Sequence, residues 1–305
     1  MRSGTGRGSR GRVLVIGASG QVGRALCSTF EREYSVVAAS CRHLEPGHRY
    51  ANLSDAAAIV NLCEEVRPDT LLLAGGMTHV DGCEQAPDVC RRINVGATEA
   101  IARHMAATGG TVVFFSTDHV FDGSYPAHGE IDPVAPMNVY SASKAEAEDV
   151  LRTHLPERHI VLRTSWVYGL DIYRRNFILR LVDQLRQGNP VMVPEDQWGS
   201  PTFAEDLASA ARVLLERGHR GTFHASGVDF VSRTELAARV CAQFGVDPAL
   251  IIPRATKSLG QPAPRPLRVK LDCGKLARAG VEPFRSLDAG LAALHAWSES
   301  RTADR

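Results

Sequence analysis

The sequence has no Cys-x-x-Cys pair, no run of Lys or Arg inside its folded part, no apolar stretch of membrane-spanning length and no internal repeat. Each absence removes a class of function. The seven cysteines (27, 41, 63, 83, 90, 241 and 273) are odd in number, and the step from Cys83 to Cys90 is helical spacing rather than zinc-ligand spacing. Structural thiols in a reducing compartment follow, which predicts a cytoplasmic protein. The eleven histidines also lack ligand spacing, so no metal is expected. A formal net charge of +1 without a basic patch argues against nucleic acid or an anionic membrane as partner. The acidic residues show no paired arrangement that would demand hydrolytic chemistry. The apolar run at 13–16 is too short for a signal-peptide core or a membrane span, so no targeting segment is expected. The Gly/Ser/Arg-rich residues 1–11 read as a disordered tail.

What is present is an alternation. With 305 residues, 44% hydrophobic and 23% charged, the chain has enough apolar side chains for an ordinary core. Short β-branched or Leu-rich runs at 13–16, 36–39, 71–74, 112–116 and 160–163 read as buried strands. Between them, residues 21–33, 55–66, 84–107 and 136–153 have apolar residues at helical spacing. Strand-helix alternation predicts right-handed crossovers and a doubly wound, parallel α/β sheet, the Rossmann arrangement. Residues 12–165 form the expected nucleotide-binding domain. In 166–305 the alternation loosens: helices are predicted at 174–187, 203–217, 232–244 and 286–297, with short apolar runs at 191–193 and 222–225. This half reads as a smaller substrate-binding lobe from which segments return to the sheet. The proline-rich stretch 253–268 is expected to be a surface loop.

The first predicted strand runs into Gly17-Ala18-Ser19-Gly20-Gln21-Val22-Gly23 and then a helix. Gly17 permits the tight turn, Gly20 lets backbone approach a pyrophosphate, and Gly23 lets helix pack on strand. The phosphates would meet the free N–H groups of the helix N-terminus. The second strand ends in Ala38-Ala39-Ser40-Cys41-Arg42-His43, without the carboxylate that holds an NAD ribose. Arg42 as a counter-charge for a 2′-phosphate and Ser40 as a donor predict NADP(H).

Strand 112–116 leads into Thr117-Asp118, and some twenty residues later comes Tyr140-Ser141-Ala142-Ser143-Lys144. Tyr at i and Lys at i+4 share a helical face. A nearby ammonium lowers a phenol from its ordinary pKa of about 10, making Tyr140 a proton donor to a ketone oxygen. Thr117, at a strand end beside the cofactor crevice, would share that oxygen.

Residues 13–294 resemble the extended short-chain dehydrogenase/reductases, and within them the dTDP-4-dehydrorhamnose reductase group. The anchors are the glycine turn, Thr117-Asp118-His119-Val120-Phe121-Asp122-Gly123, Tyr140/Lys144, Arg163-Thr164-Ser165-Trp166-Val167-Tyr168-Gly169, Asn176-Phe177, and Asp196-Gln197-Trp198-Gly199-Ser200-Pro201-Thr202. Arg265-Pro266 with Leu271-Asp272 matches a late signature. The resemblance implies hydride transfer from NADPH to the C4 ketone of a nucleotide-linked deoxysugar. Tyr140 would supply the proton, Lys144 would hold the nicotinamide ribose and Thr117 would position the ketone. It places Gly17, Ser19, Gly20, Gln21, Val22 and Gly23 at the cofactor, with Leu53, Ala74, Gly75, Gly76 and Asn94. Thr78, Asp118, His119, Val120 and Trp166 would face the sugar nucleotide, as would Asn176, Gln197, Pro201 and Thr202. The family's pairing habit adds a homodimer to the expectations. Three departures stand out: His119 where the family has Tyr, Ala74-Gly75-Gly76 where it has Ala-Ala-Ala, and Asn52 in place of an acidic residue.

Two rival readings stay open. A sugar-nucleotide epimerase or dehydratase would use the same scaffold, although Asp118-His119 differs from the dehydratase Asp-Glu pair. A non-catalytic regulatory subunit, similar to the methionine adenosyltransferase beta subunit, would keep the NADP site and the Tyr/Lys pair while turning nothing over.

Overall fold

The computed structural model describes residues 10–303 of the chain; the tail expected at 1–11 lies, through residue 9, outside them. Strands β1 (Arg12–Ile16), β2 (Ser35–Ser40), β3 (Arg49–Tyr50), β4 (Thr70–Leu73), β5 (Thr111–Thr117) and β6 (His159–Thr164) join a seventh, Gly221–His224, in one sheet. Across the sheet the order is Gly221–His224, β6, β5, β4, β1, β2, β3, all parallel. The direction of winding reverses between β1 and β4. Open α/β sheets leave a crevice at such a point, outside the carboxyl ends of the strands.

The strands read as continuous apolar runs because both sheet faces are covered. Alternate residues serve opposite layers. Val13, Val15, Leu72 and Val113 pack against α1 (Gln21–Phe30) and the helix Ala204–Glu216. Leu14, Ile16, Leu71, Leu73, Val112 and Phe114 face the other way, toward α2 (Ala56–Val66) and the later helices of that layer. Those begin with α3 (Val80–Gln85), α4 (Pro87–Arg91), α5 (Ala97–Thr108) and α6 (Val139–His154). A third core, with Ile178, Leu179, Val182, Leu236, Val240, Leu291 and Leu294, belongs to the second half of the chain.

Three sequence expectations change. The single helix at 84–107 is broken: Pro87 starts α4, and Arg92–Gly96 is one π-helical turn before α5. A proline lacks the N–H that a continuing helix needs, which ends α3 and restarts the chain at a first-turn position. The run at 222–225 is the seventh strand of the main sheet, paired with β6. The stretch at 253–268 is only partly a surface loop. It opens in the strand Ile251–Arg254, and Ala263, beyond a 3₁₀ turn, is buried, its N–H donating to Asp81. Pro264 accepts a hydrogen bond from Asn138, so this stretch ties the second half to the N-terminus of α6, which carries Tyr140 and Lys144. No helix among the described residues is long and apolar enough to cross a membrane.

Candidate active site

The glycine turn closes the carboxyl end of β1. Gly17 has φ +91°, and a Cβ there would lie 2.5 Å from the Gly75 nitrogen, so two glycine turns pack back to back. A Cβ on Gly23 would overlap the Gly17 carbonyl and come within 2.7 Å of the Ala18 Cα. Gly20 differs. Its Cβ would meet only the Gly17 oxygen, at 3.3 Å, so nothing inside the chain requires glycine there. Gly20 stands at the N-cap of α1 with no side-chain cap, leaving N–H groups free for an anion. A dinucleotide pyrophosphate fits this cradle. Leu53 and Gly75 form its neighbouring wall, the Leu53 methyl lying 3.0 Å from the Cβ position of Gly75.

At the end of β2, Arg42 is exposed and makes no ion pair among the described residues. Ser40 is buried, and its hydroxyl donates to the His43 carbonyl (3.0 Å) while facing His48 Nδ1 (2.8 Å). Its one proton is engaged, so Ser40 braces the loop and does not donate to a 2′-phosphate. Sequence reasoning missed what the second half of the chain adds here. Tyr173 stacks on His43 at 3.8 Å, Arg175 donates to the Ser19 carbonyl (3.2 Å), and Gln21 donates to the Val167 carbonyl (3.0 Å). Arg24 pairs with Glu45 at the same mouth.

The expected triad stands at the ends of β5 and α6. β5 ends in Thr117, whose hydroxyl donates to Asp118 Oδ1 at 3.2 Å and accepts from the His119 N–H at 3.2 Å. Helix α6 begins with a capping box between Asn138 and Ser141, and Glu84 accepts the Val139 N–H. This fixes the first turn, where Tyr140 stands. Asn94, in the π turn, accepts from Met77 N–H (2.8 Å) and donates to the Met77 carbonyl (3.0 Å) and Ser143 (2.9 Å). It thereby bolts the loop after β4 to α6, one residue before Lys144. Its amide is engaged with protein, a positioning role in place of the expected contact with the cofactor.

Burial pushes the Tyr140 phenol well above its usual range; the Thr117 hydroxyl beside it acts the other way, and the Asp118 carboxylate adds to the rise. Burial also brings the Lys144 ammonium down to about 7, against the opposing Glu148 charge. Lys144 Nζ lies 3.7 Å over the Phe114 ring. Dehydration dominates both groups and neither shift draws on the other, so the lowering of the Tyr140 phenol by Lys144 expected from their spacing is not found; the phenol is raised instead. A firmly protonated phenol is what a proton donor to a ketone requires.

Around the triad, several expected pocket residues turn out to be framework. Val120 is fully buried in a cluster with Phe121, Val269 and Leu271. Asn176 caps the helix Phe177–Arg186 and donates to the Gly169 carbonyl. Thr202 is fully buried, its hydroxyl donating to the Ser200 carbonyl and accepting from Gly227 N–H, both at 3.0 Å. Gln197 donates to Thr256, which Asp196 also grips at 2.5 Å. Pro201 is buried, with its carbonyl against Gly227. The polar groups of Asn176 and Thr202 and the Gln197 amide nitrogen are thus bonded to protein in this structure. Thr78 is exposed. Asp118 is 3% exposed and accepts from Ser165 at 2.6 Å, so it links β5 to the chain beyond β6.

His119 remains at the site: its ring meets Tyr140 edge-on at 6.4 Å, and its Nδ1 is buried without a partner. Burial and the Arg265 and Arg233 charges lower its pKa against the pull of Asp118, so the ring stays neutral. Trp166 has φ +40°, a left-handed conformation that costs a bulky residue on the order of 1–3 kcal/mol. It is held between Gly199, where a Cβ would lie 2.5 Å from Trp166 Cε2, and the Arg233 guanidinium, 3.5 Å from the ring centre. Arg233 was not singled out from the sequence. Among the described residues no group of His, Cys, Asp or Glu is placed to hold a metal ion.

Residues 11–298 match the family described as the RmlD substrate binding domain. A dTDP-4-dehydrorhamnose reductase of Streptomyces griseus is 31% identical over 92% of each chain. The methionine adenosyltransferase 2 subunit beta of Mus musculus is also 31% identical, over 90% of this chain and 85% of that protein. The crystal structure of dTDP-4-dehydrorhamnose reductase from Bacillus anthracis in complex with NADP superposes with a TM-score of 0.83 at 27% identity. The match covers 93% of this chain and 98% of that one. With the glycine cradle at the sheet's switch point and Thr117, Tyr140 and Lys144 across from it, the chain belongs to the RmlD substrate-binding-domain family of extended short-chain reductases.

Proposed function

We propose that the protein reduces the C4 ketone of a nucleotide-linked deoxysugar at the expense of NADPH, as its dTDP-4-dehydrorhamnose reductase relatives are named for doing. The observation that carries this reading is a half-buried, protonated Tyr140 beside Thr117 and one helical turn from the buried Lys144, with a glycine cradle at the sheet's switch point that leaves backbone N–H groups for a pyrophosphate. NADPH, when bound, supplies the hydride. The turn at Gly17–Gly23 holds the pyrophosphate, and Arg42 gives the 2′-phosphate a counter-charge. The Thr117 hydroxyl, which here donates to Asp118 at 3.2 Å, turns to donate to the substrate carbonyl and orients it toward the phenol. Tyr140 releases its proton to the carbonyl oxygen as that oxygen gains charge, and the Lys144 ammonium stabilises the resulting phenolate. Dry walls around Lys144 and Tyr140 strengthen that pairing at the moment charge develops.

The 31% identity to a methionine adenosyltransferase subunit favours a second reading, a regulatory NADP-binding subunit. One experiment separates them. NADPH oxidation, followed by near-ultraviolet absorbance against a panel of nucleotide-linked 4-keto-6-deoxysugars, is expected to be rapid with at least one member. Tight NADPH binding with no oxidation across the panel would favour the regulatory reading.

A further inference from the structure

The segment from Asp171 to Arg175 is held from behind and reaches forward. Asp171 is buried, and its carboxylate accepts the N–H groups of Tyr173 (3.1 Å) and Arg175 (2.7 Å), which draws the chain into a tight turn. Between them Arg174 has φ +52°, a left-handed conformation that a long side chain seldom adopts. Its guanidinium is clipped to Asp183 (2.7 and 3.0 Å) on the helix Phe177–Arg186 and to Ser298 (3.2 Å). Strain of this kind persists only where the surroundings fix it, and it gathers at ligand clamps. With Arg174 turned back, its neighbours Tyr173 and Arg175 reach the first half of the chain.

They land on either side of one spot. Arg175 donates to the Ser19 carbonyl in the glycine turn (3.2 Å). Tyr173 stacks on His43 (3.8 Å) and donates to Glu45 (3.0 Å) in the loop after β2. The glycine turn and the end of β2 are neighbours, since Gly17 and Ala18 both donate their N–H groups to the Ala39 carbonyl. In a doubly wound sheet the 2′ position of a dinucleotide ribose lies there, at the end of the second strand. Three guanidiniums, Arg24, Arg42 and Arg175, gather around it against two carboxylates. Arg24 is paired with Glu45, and Arg175 stands 3.7 Å from Asp171. Arg175 is exposed and spends one of its five N–H groups on Ser19. It lies 4.8 Å over the Tyr173 ring, an aromatic face that holds a guanidinium in one orientation.

We propose that the turn at 171–175 is a clasp by which the second half of the chain recognises the 2′-phosphate of NADPH, an inference that rests on the reading of the cofactor as NADP(H). Arg175 joins Arg42 as a charged donor to that phosphate. Tyr173 is a positioning residue: through His43 and Glu45 it holds the loop that carries Arg42. NADH, with a hydroxyl at that place, gains little from either.

The test is calorimetric titration of the full-length protein with adenosine 2′,5′-bisphosphate and adenosine 5′-monophosphate, alongside NADPH and NADH. Wild type should bind the 2′-phosphorylated member of each pair at least about tenfold more tightly. Arg175→Met should weaken both 2′-phosphorylated ligands about tenfold or more and leave the other two unchanged, with Arg175→Lys keeping part of the preference. Tyr173→Ala should narrow the preference by a smaller factor, whereas Tyr173→Phe, which keeps the stack on His43, should retain most of it. An unchanged preference in Tyr173→Ala would remove Tyr173 from the positioning role. Wild-type preference in Arg175→Met, or an equal loss for all four ligands, would overturn the inference and leave the NADPH reading standing. A wild type that binds the members of each pair equally would overturn the 2′-phosphate reading and this inference with it. Because Arg175 is exposed, its variant reports even if Tyr173→Ala misfolds.

Discussion

Gly20 and Gly23 lie three residues apart in one turn, yet the structure assigns them opposite kinds of necessity. A Cβ on Gly23 overlaps the Gly17 carbonyl and the Ala18 Cα, both rigid backbone. Gly23→Ala therefore forces helix α1 away from β1, and overpacking of this kind costs about 1–3 kcal/mol. For a chain of this size that corresponds to a fall in Tm of roughly 2–12 °C. A Cβ on Gly20 meets one oxygen at 3.3 Å, and the residue's φ of −78° suits any amino acid. The lost capping preference of about 0.5–1 kcal/mol is offset by reduced freedom in the unfolded chain, about 0.4–1 kcal/mol. Gly20→Ala should thus melt within about 3 °C of wild type. Its methyl group instead occupies the space a pyrophosphate needs, so NADPH affinity should fall at least about tenfold, or 1.4 kcal/mol. Thermal melts by circular dichroism and NADPH titration by fluorescence read the two effects separately. Wild-type NADPH affinity in Gly20→Ala would refute the phosphate cradle. Wild-type stability in Gly23→Ala would refute the packing argument.

Three further outcomes follow from other parts of the molecule. Arg42→Ala should weaken NADPH by about tenfold or more while leaving NADH unchanged, since only the 2′-phosphate loses a charged partner; equal loss for both cofactors would remove Arg42 from that role. Thr202→Val leaves the Ser200 carbonyl and Gly227 N–H buried and unpaired, costing about 1–3 kcal/mol in a denaturant melt, with substrate KM unaffected in the folded enzyme. A raised KM at unchanged stability would restore Thr202 to the pocket. Lys144, depressed to about 7, is charged below that pH and neutral above it. Because kcat/KM for NADPH reports the free enzyme, it should fall as pH rises through about 7. The same depression makes the folded state gain stability as pH rises from about 7 toward the ordinary lysine range. A profile flat to pH 9 would contradict the placement of Lys144.

The doubly wound sheet was legible because its strands are covered on both faces and its helices are amphipathic, a pattern written locally in the chain. The placement of the candidate triad was legible for a similar reason: Tyr140 and Lys144 are one helical turn apart, and Thr117 marks a strand end. Residues whose meaning depends on the second half of the chain were harder to read. Ser40, Asn176, Thr202 and Gln197 carry groups suited to a ligand, but His43, Gly169, Gly227 and Thr256 reach them first. Nothing in local spacing announces those partners. Arg233 escaped notice because its place, stacked on Trp166 and over Phe177, is a property of the folded chain alone. Pro87 was the one local signal passed over; it splits the expected helix and sets the π turn that aims Asn94 at Met77 and Ser143.

The central claim is that Tyr140 protonates a substrate ketone while NADPH gives up its hydride, and single-turnover NADPH oxidation in wild type and Tyr140→Phe tests it most directly. With enzyme in excess over a nucleotide-linked 4-keto-6-deoxysugar, wild type should show a full burst of oxidation matched by alcohol product. Tyr140→Phe should bind NADPH with nearly wild-type affinity and lose at least about 100-fold in the burst rate, as removal of a general acid does. A Tyr140→Phe burst as fast as wild type would contradict the account, since the proton would then come from elsewhere.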